Sequence, residues 1–147
     1  MPVQPPPRRL PKEIQESKGL YPFFHELLNS IYQLFVFAAE FGASGTQSIT
    51  AAGGVTYIKR ITRVVGSGGS VTVTATPSIA AIEDGKEIII QGTHDTNTVV
   101  LQDESGLANS GLALAGGANF TLGKGDTLHL TYSAVDSKYY EIARSNN

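Results

Sequence analysis

The strongest constraint in this sequence is a change of pattern at Gly42. Before it come a proline-rich arm and one apolar stretch with helical spacing. After it come Thr, Val, Ile and Gly in short alternating runs. The first part must bury its apolar side chains with a period near 3.6 and the second with a period of two. A chain of 147 residues has room for one modest domain and an extension.

The arm, residues 1–19, carries Pro2, Pro5, Pro6, Pro7 and Pro11. Proline fixes φ and removes backbone donors, so an extended polyproline-like arm is expected. Residues 20–42 are expected to form one amphipathic helix. Phe24, Leu27, Leu28, Ile31, Leu34, Phe35, Ala38 and Phe41 recur at helical spacing. Read as heptads, Phe24, Ile31 and Ala38 share one seam position, and Leu27, Leu34 and Phe41 the other. Leu28 and Phe35 widen the stripe beyond a two-helix seam. That breadth favours three or more helices, or a helix packed on a domain. These eight residues are the candidate assembly interface. Gly42 stops the helix. His25, Glu26, Asn29, Gln33 and Glu40 interrupt the stretch and argue against a membrane span. Met1 to Leu10 lack the apolar core of a secretion signal.

Residues 43–54 are small and polar, with Gly45, Gly53 and Gly54, and read as a linker or a loose first strand. Residues 55–147 are expected to form the β domain, a small antiparallel sandwich or barrel-like unit, making the whole chain mainly β. The runs that carry this expectation are Val55–Val65, Ser70–Thr76, Glu87–Gln91, Thr98–Gln102, Leu112–Leu114, Asn119–Leu122, Thr127–Ser133 and Lys138–Arg144. The alternation is cleanest where Leu128, Leu130 and Tyr132 oppose Thr127, His129 and Thr131.

The chemistry-bearing residues are sparse. Net charge is −2. The groups Arg8, Arg9, Lys12 and Lys59, Arg60, Arg63 lack the density of a nucleic-acid surface. No cysteine is present, which excludes disulfides and thiolate metal sites and fits synthesis in a reducing cytoplasm. The glycine-rich run Gly66–Ser70 lacks the Lys-Ser/Thr ending and following helix of a phosphate loop, and reads as a hairpin loop. His25 beside Glu26 reads as the polar flank of a packed helix. His94-Asp95 lies in a turn without a nucleophile and oriented base. His129 reads as a hydrogen-bonded strand histidine, with a threefold-axis ion ligand as the sharper alternative. Asp103, Glu104 and Asp126 are ordinary turn carboxylates. No catalytic, cofactor-binding or metal-binding residue is expected. Tyr139 and Tyr140 form the candidate ligand surface, since exposed tyrosines stack on sugars or anchor interfaces. Strand alternation nevertheless turns at least one of the pair inward.

The run from Gly85 to Ser145 contains Gly-Lys-Glu-Ile-Ile-Ile-Gln-Gly-Thr, Asn-Phe-Thr-Leu-Gly-Lys-Gly-Asp-Thr-Leu-His-Leu-Thr-Tyr and a closing Tyr-Tyr-Glu-Ile-Ala-Arg-Ser. It resembles small β domains in virion proteins of tailed bacteriophages, especially tail fibres, spikes and trimeric appendages. In that group an aromatic pair precedes Glu-Ile and a final Arg-Ser, the places held here by Tyr139, Tyr140, Glu141, Ile142, Arg144 and Ser145. The proline-rich lead and the apolar helix are similar to attachment ends of phage particle proteins. The resemblance covers about two-thirds of the chain. It implies a non-enzymatic structural protein of the virion, made in the host cytoplasm, homotrimeric and anchored by its arm and helix. A tail appendage is the first expectation. A capsid decoration protein at local threefold positions and a module binding host-surface carbohydrate are the alternatives. The expected partners are itself and other virion proteins of tail or capsid, with no nucleic acid, membrane or cofactor.

Overall fold

The computed structural model describes residues 26–34 and 43–147. The chain divides into two compact units, Met1–Gly42 and Ala43–Asn147, and each is treated by itself. In the first, residues 26–34 form helix α1. The expected arm at 1–19 and the flanks of the expected 20–42 helix, with Phe24, Phe35, Ala38 and Phe41, lie outside the described residues.

The second unit is a small β domain, so a helix followed by a mainly β domain is the architecture. Its strands are β1 Ala43–Ile49, β2 Ile61–Gly66, β3 Val71–Thr72, β4 Glu87–Gly92, β5 Val99–Leu101, β6 Leu112–Ala113, β7 Phe120–Leu122, β8 Thr127–Ser133 and β9 Lys138–Ser145. A six-stranded sheet has the order β1-β2-β4-β8-β9-β6, and a three-stranded sheet the order β3-β5-β7. Residues from both sheets share one core: Val64, Ile88, Ile90, Leu128 and Leu130 from the larger, Val99, Leu101, Phe120 and Leu122 from the smaller. The two layers thus meet as a sandwich. In β4 and β8 burial alternates without a break, because alternate side chains of a strand point to opposite faces.

Of the two readings of residues 43–54, the first strand holds for Ala43–Ile49, which is β1, paired with β2 at the edge of the larger sheet. Its Ile49 is buried in the core at 3% exposure. Gln47 seals this corner: its side-chain amide donates to the Thr56 carbonyl at 2.7 Å and accepts from the Thr56 N–H at 3.1 Å. The expectation of antiparallel pairing is corrected: the pairing is mixed. β1–β2, β2–β4, β3–β5 and β6–β9 are parallel, while β4–β8, β5–β7 and β8–β9 are antiparallel. For β2–β4 and β3–β5 the cause is the path of the chain. From β2 to β5 successive strands alternate between the two sheets, so strands two apart return to the same layer in the same sense.

Close backbone approach fixes two glycines where strands leave the larger sheet. A Cβ on Gly66 would stand 2.2 Å from the Gly69 carbonyl oxygen, and one on Gly92 would stand 2.0 Å from that of Gly123. No side chain fits at either position.

Candidate functional site

Helix α1 has an exposed apolar face. Leu27 is 42% exposed, Ile31 40% and Leu34 66%. At spacings of four and three residues they lie on one side of the helix. Leu28 and Tyr32 are half-buried. The Tyr32 hydroxyl is buried with no hydrogen-bond partner among the described residues, and an unsatisfied buried group carries a desolvation cost of about 1–3 kcal/mol. Of the eight expected interface residues, the four described sit on this helix, three of them exposed.

The tyrosine pair separates. Tyr139 is 1% exposed, donates its hydroxyl to the Ala80 carbonyl at 2.6 Å and packs its ring 4.8 Å from that of Tyr132. Burial pushes its phenol far up, with the nearby Tyr132 and Tyr57 adding to the shift. Tyr139 is thus a core residue rather than an exposed one, which corrects its place in the candidate ligand surface. Tyr140, 41% exposed, remains on the surface and donates its hydroxyl to Asp136 Oδ2 at 3.1 Å.

The closing motif works through a bulge. His129 pairs with Ala143 and Leu130 with Glu141, so Ile142 is an extra residue in β9. An inserted residue shifts the in-out alternation of its strand. Glu141 and Arg144, three apart, therefore reach the same side. The Glu141 carboxylate is only 5% exposed and accepts from the Ala115 N–H at 2.9 Å and from Arg144 Nε at 2.5 Å. The Arg144 guanidinium lies 4.8 Å over the Phe120 ring and reaches the Ala115 carbonyl at 3.3 Å. It holds the Glu141 carboxyl below the usual carboxylate range. Sequence reasoning marked these residues only through the resemblance; the signal it passed over is an acid and a base at odd spacing in a strand.

Asp103 is a structural hub. It is 5% exposed, and its two carboxylate oxygens accept from the Ser105 N–H at 2.8 Å and the Leu114 N–H at 2.7 Å. Burial pushes this carboxyl up, but these backbone donors outweigh it and leave the group below its ordinary value. The Asp-x-Ser pattern, an Asx turn, was the available signal. Glu104 pairs with Lys138 at 2.7 Å. Asp126 accepts from the Gly123 and Asn147 N–H groups at 2.7 and 2.8 Å.

His129 is a hydrogen-bonded strand histidine. Its Nε2 lies 3.1 Å from Glu87 Oε2, the same oxygen that Arg60 Nη2 reaches at 2.7 Å. These two contacts, His129 first, hold the Glu87 carboxyl down. His94 caps a turn, and His25 lies outside the described residues. Among the described residues, no group of three or more His, Asp or Glu is placed to hold a metal ion, and no helix is long and apolar enough to cross a membrane. A cleft of about 210 Å³ opens beside Pro77, Ile79, Tyr132 and Tyr139. Its lining contains no carboxylate, imidazole or amine.

No family model matches this sequence, and no curated protein matches it. A solved structure titled "Structure of a chaperone-substrate complex" is similar at 16% identity with a TM-score of 0.39, over 71% of this chain and 19% of that one. The chain thus spans less than a fifth of that chain's length, and a likeness this distant leaves fold and function to be argued from the molecule itself.

Proposed function

We propose that this chain is a non-enzymatic structural protein that acts by assembly: a homotrimeric component of a tailed-bacteriophage particle, joined to it through its N-terminal arm and helix. The single observation that carries the reading is the apolar face of α1, with Leu27, Ile31 and Leu34 in water. Burying a side chain of this size is worth roughly 1.5–3 kcal/mol. An apolar patch of this kind, in a chain whose β domain already has a closed core, marks a contact surface. The phage setting rests on the closing Tyr-Tyr-Glu-Ile-Ala-Arg-Ser motif and its resemblance to appendage domains, and a tail appendage is the placement it favours.

The test is incorporation. I31D/L34D should leave the β domain folded by circular dichroism and abolish entry into particles. Continued incorporation of the double variant would remove the helix as the attachment element. Counting copies on intact particles decides placement: a few trimers fit a tail appendage, whereas hundreds of copies would overturn it in favour of the capsid shell.

A further inference from the structure

Where the chain leaves β4 for β5, crossing from the larger sheet to the smaller, it turns through residues 93–98. Two backbone donors in this turn, the N–H groups of Thr96 and Asn97, point at Nδ1 of His94 at 3.1 and 3.0 Å. Accepting them requires a lone pair on Nδ1, so the ring that fits is neutral with its hydrogen on Nε2. Asp and Asn oxygens usually do this in turns. An amide oxygen keeps its lone pairs on acidification. An imidazole does not, because protonation puts a hydrogen on Nδ1 facing two N–H groups.

The turn also holds its surroundings. The Asn97 carbonyl accepts from the Gly66 N–H at 2.8 Å and the Thr98 carbonyl from the Val71 N–H at 2.9 Å. Asp95 Oδ1 accepts from the Lys124 N–H at 2.8 Å. The charged groups at this end are Asp95 on the turn itself and Lys124 and Asp126 on the turn packed against it. Residues 66–70 bring no charge.

We propose that His94 is a pH-sensitive latch: the neutral ring closes the 93–98 turn, and protonation opens it and loosens this end of the sandwich. The experiment is nuclear magnetic resonance on the full ¹⁵N-labelled chain between about pH 8 and about pH 5, the range in which histidine changes charge. The Thr96 and Asn97 amides should move together with the His94 ring signal. Their hydrogen exchange, corrected for its intrinsic pH dependence, should rise about fivefold or more as the bonds are lost. H94N supplies an oxygen to the same donors and should hold the turn closed throughout. H94A should be open at both ends of the range. Amides indifferent to ring protonation, or an unchanged pH response in H94N, would overturn the latch.

Discussion

Among the described glycines, Gly92 leaves the least room for a side chain, with a Cβ 2.0 Å from the Gly123 carbonyl oxygen. A methyl group there would collide with the Gly123 carbonyl, whereas one at Gly45 would meet nothing within 4 Å. Overpacking against backbone costs about 1–3 kcal/mol, so G92A should lower stability by at least that much in urea unfolding. G45A should stay within about 0.5 kcal/mol. Two carboxylates set the acid limit. The Arg144 guanidinium holds Glu141 down, and at Asp103 the backbone donors overcome the upward push of burial. A folded-state pKa below the unfolded value contributes stability above the ordinary carboxylate range, about pH 4, and loses it as pH falls through the lower folded value. The contribution of these two carboxylates should therefore hold to about pH 4 and fall below it. D103N and E141Q should each cost about 1–3 kcal/mol at neutral pH and flatten that acid limb, as followed by thermal unfolding across pH.

Strand β1 is an integral element despite its composition. Ile49 is buried, and its carbonyl accepts from the Ser67 N–H at 2.8 Å. A chain beginning at Ala43 should fold as stably as the full β unit. One beginning at Val55 should lose the roughly 1.5–3 kcal/mol of Ile49 burial and the Gln47 clamp besides, measured as a lower urea midpoint. The sequence Ala-Ser-Gly-Thr-Gln-Ser-Ile leaves strand and linker both open, because its residues are small and its pattern is not apolar. By contrast, β8 was legible to the residue, since Leu128, Leu130 and Tyr132 alternate against Thr and His between turn residues. Alternation reports which side chains face inward but not which strand lies alongside, so the parallel pairs were out of reach. The same limit applies at the candidate site. That one of Tyr139 and Tyr140 turns inward followed from period two, but which one did not. The bulge at Ile142 that joins Glu141 to Arg144 breaks the very period on which the reading depends.

At the scale of the whole molecule, the two units ask for different things. The β domain closes its own core, with Val64, Ile88, Ile90, Leu128 and Leu130 at 0% exposure. Helix α1 leaves Leu27, Ile31 and Leu34 uncovered, and the proposed homotrimer is the assembly that would cover them. The association should be insensitive to salt, because apolar burial rather than charge drives it. It should also be lost in I31D/L34D while the β domain's unfolding transition is unchanged. The most direct measurement is the mass of the purified full chain in solution. The account predicts a species of three times the 15.6 kDa chain mass; a stable monomer with the α1 face shielded within its own chain would contradict it.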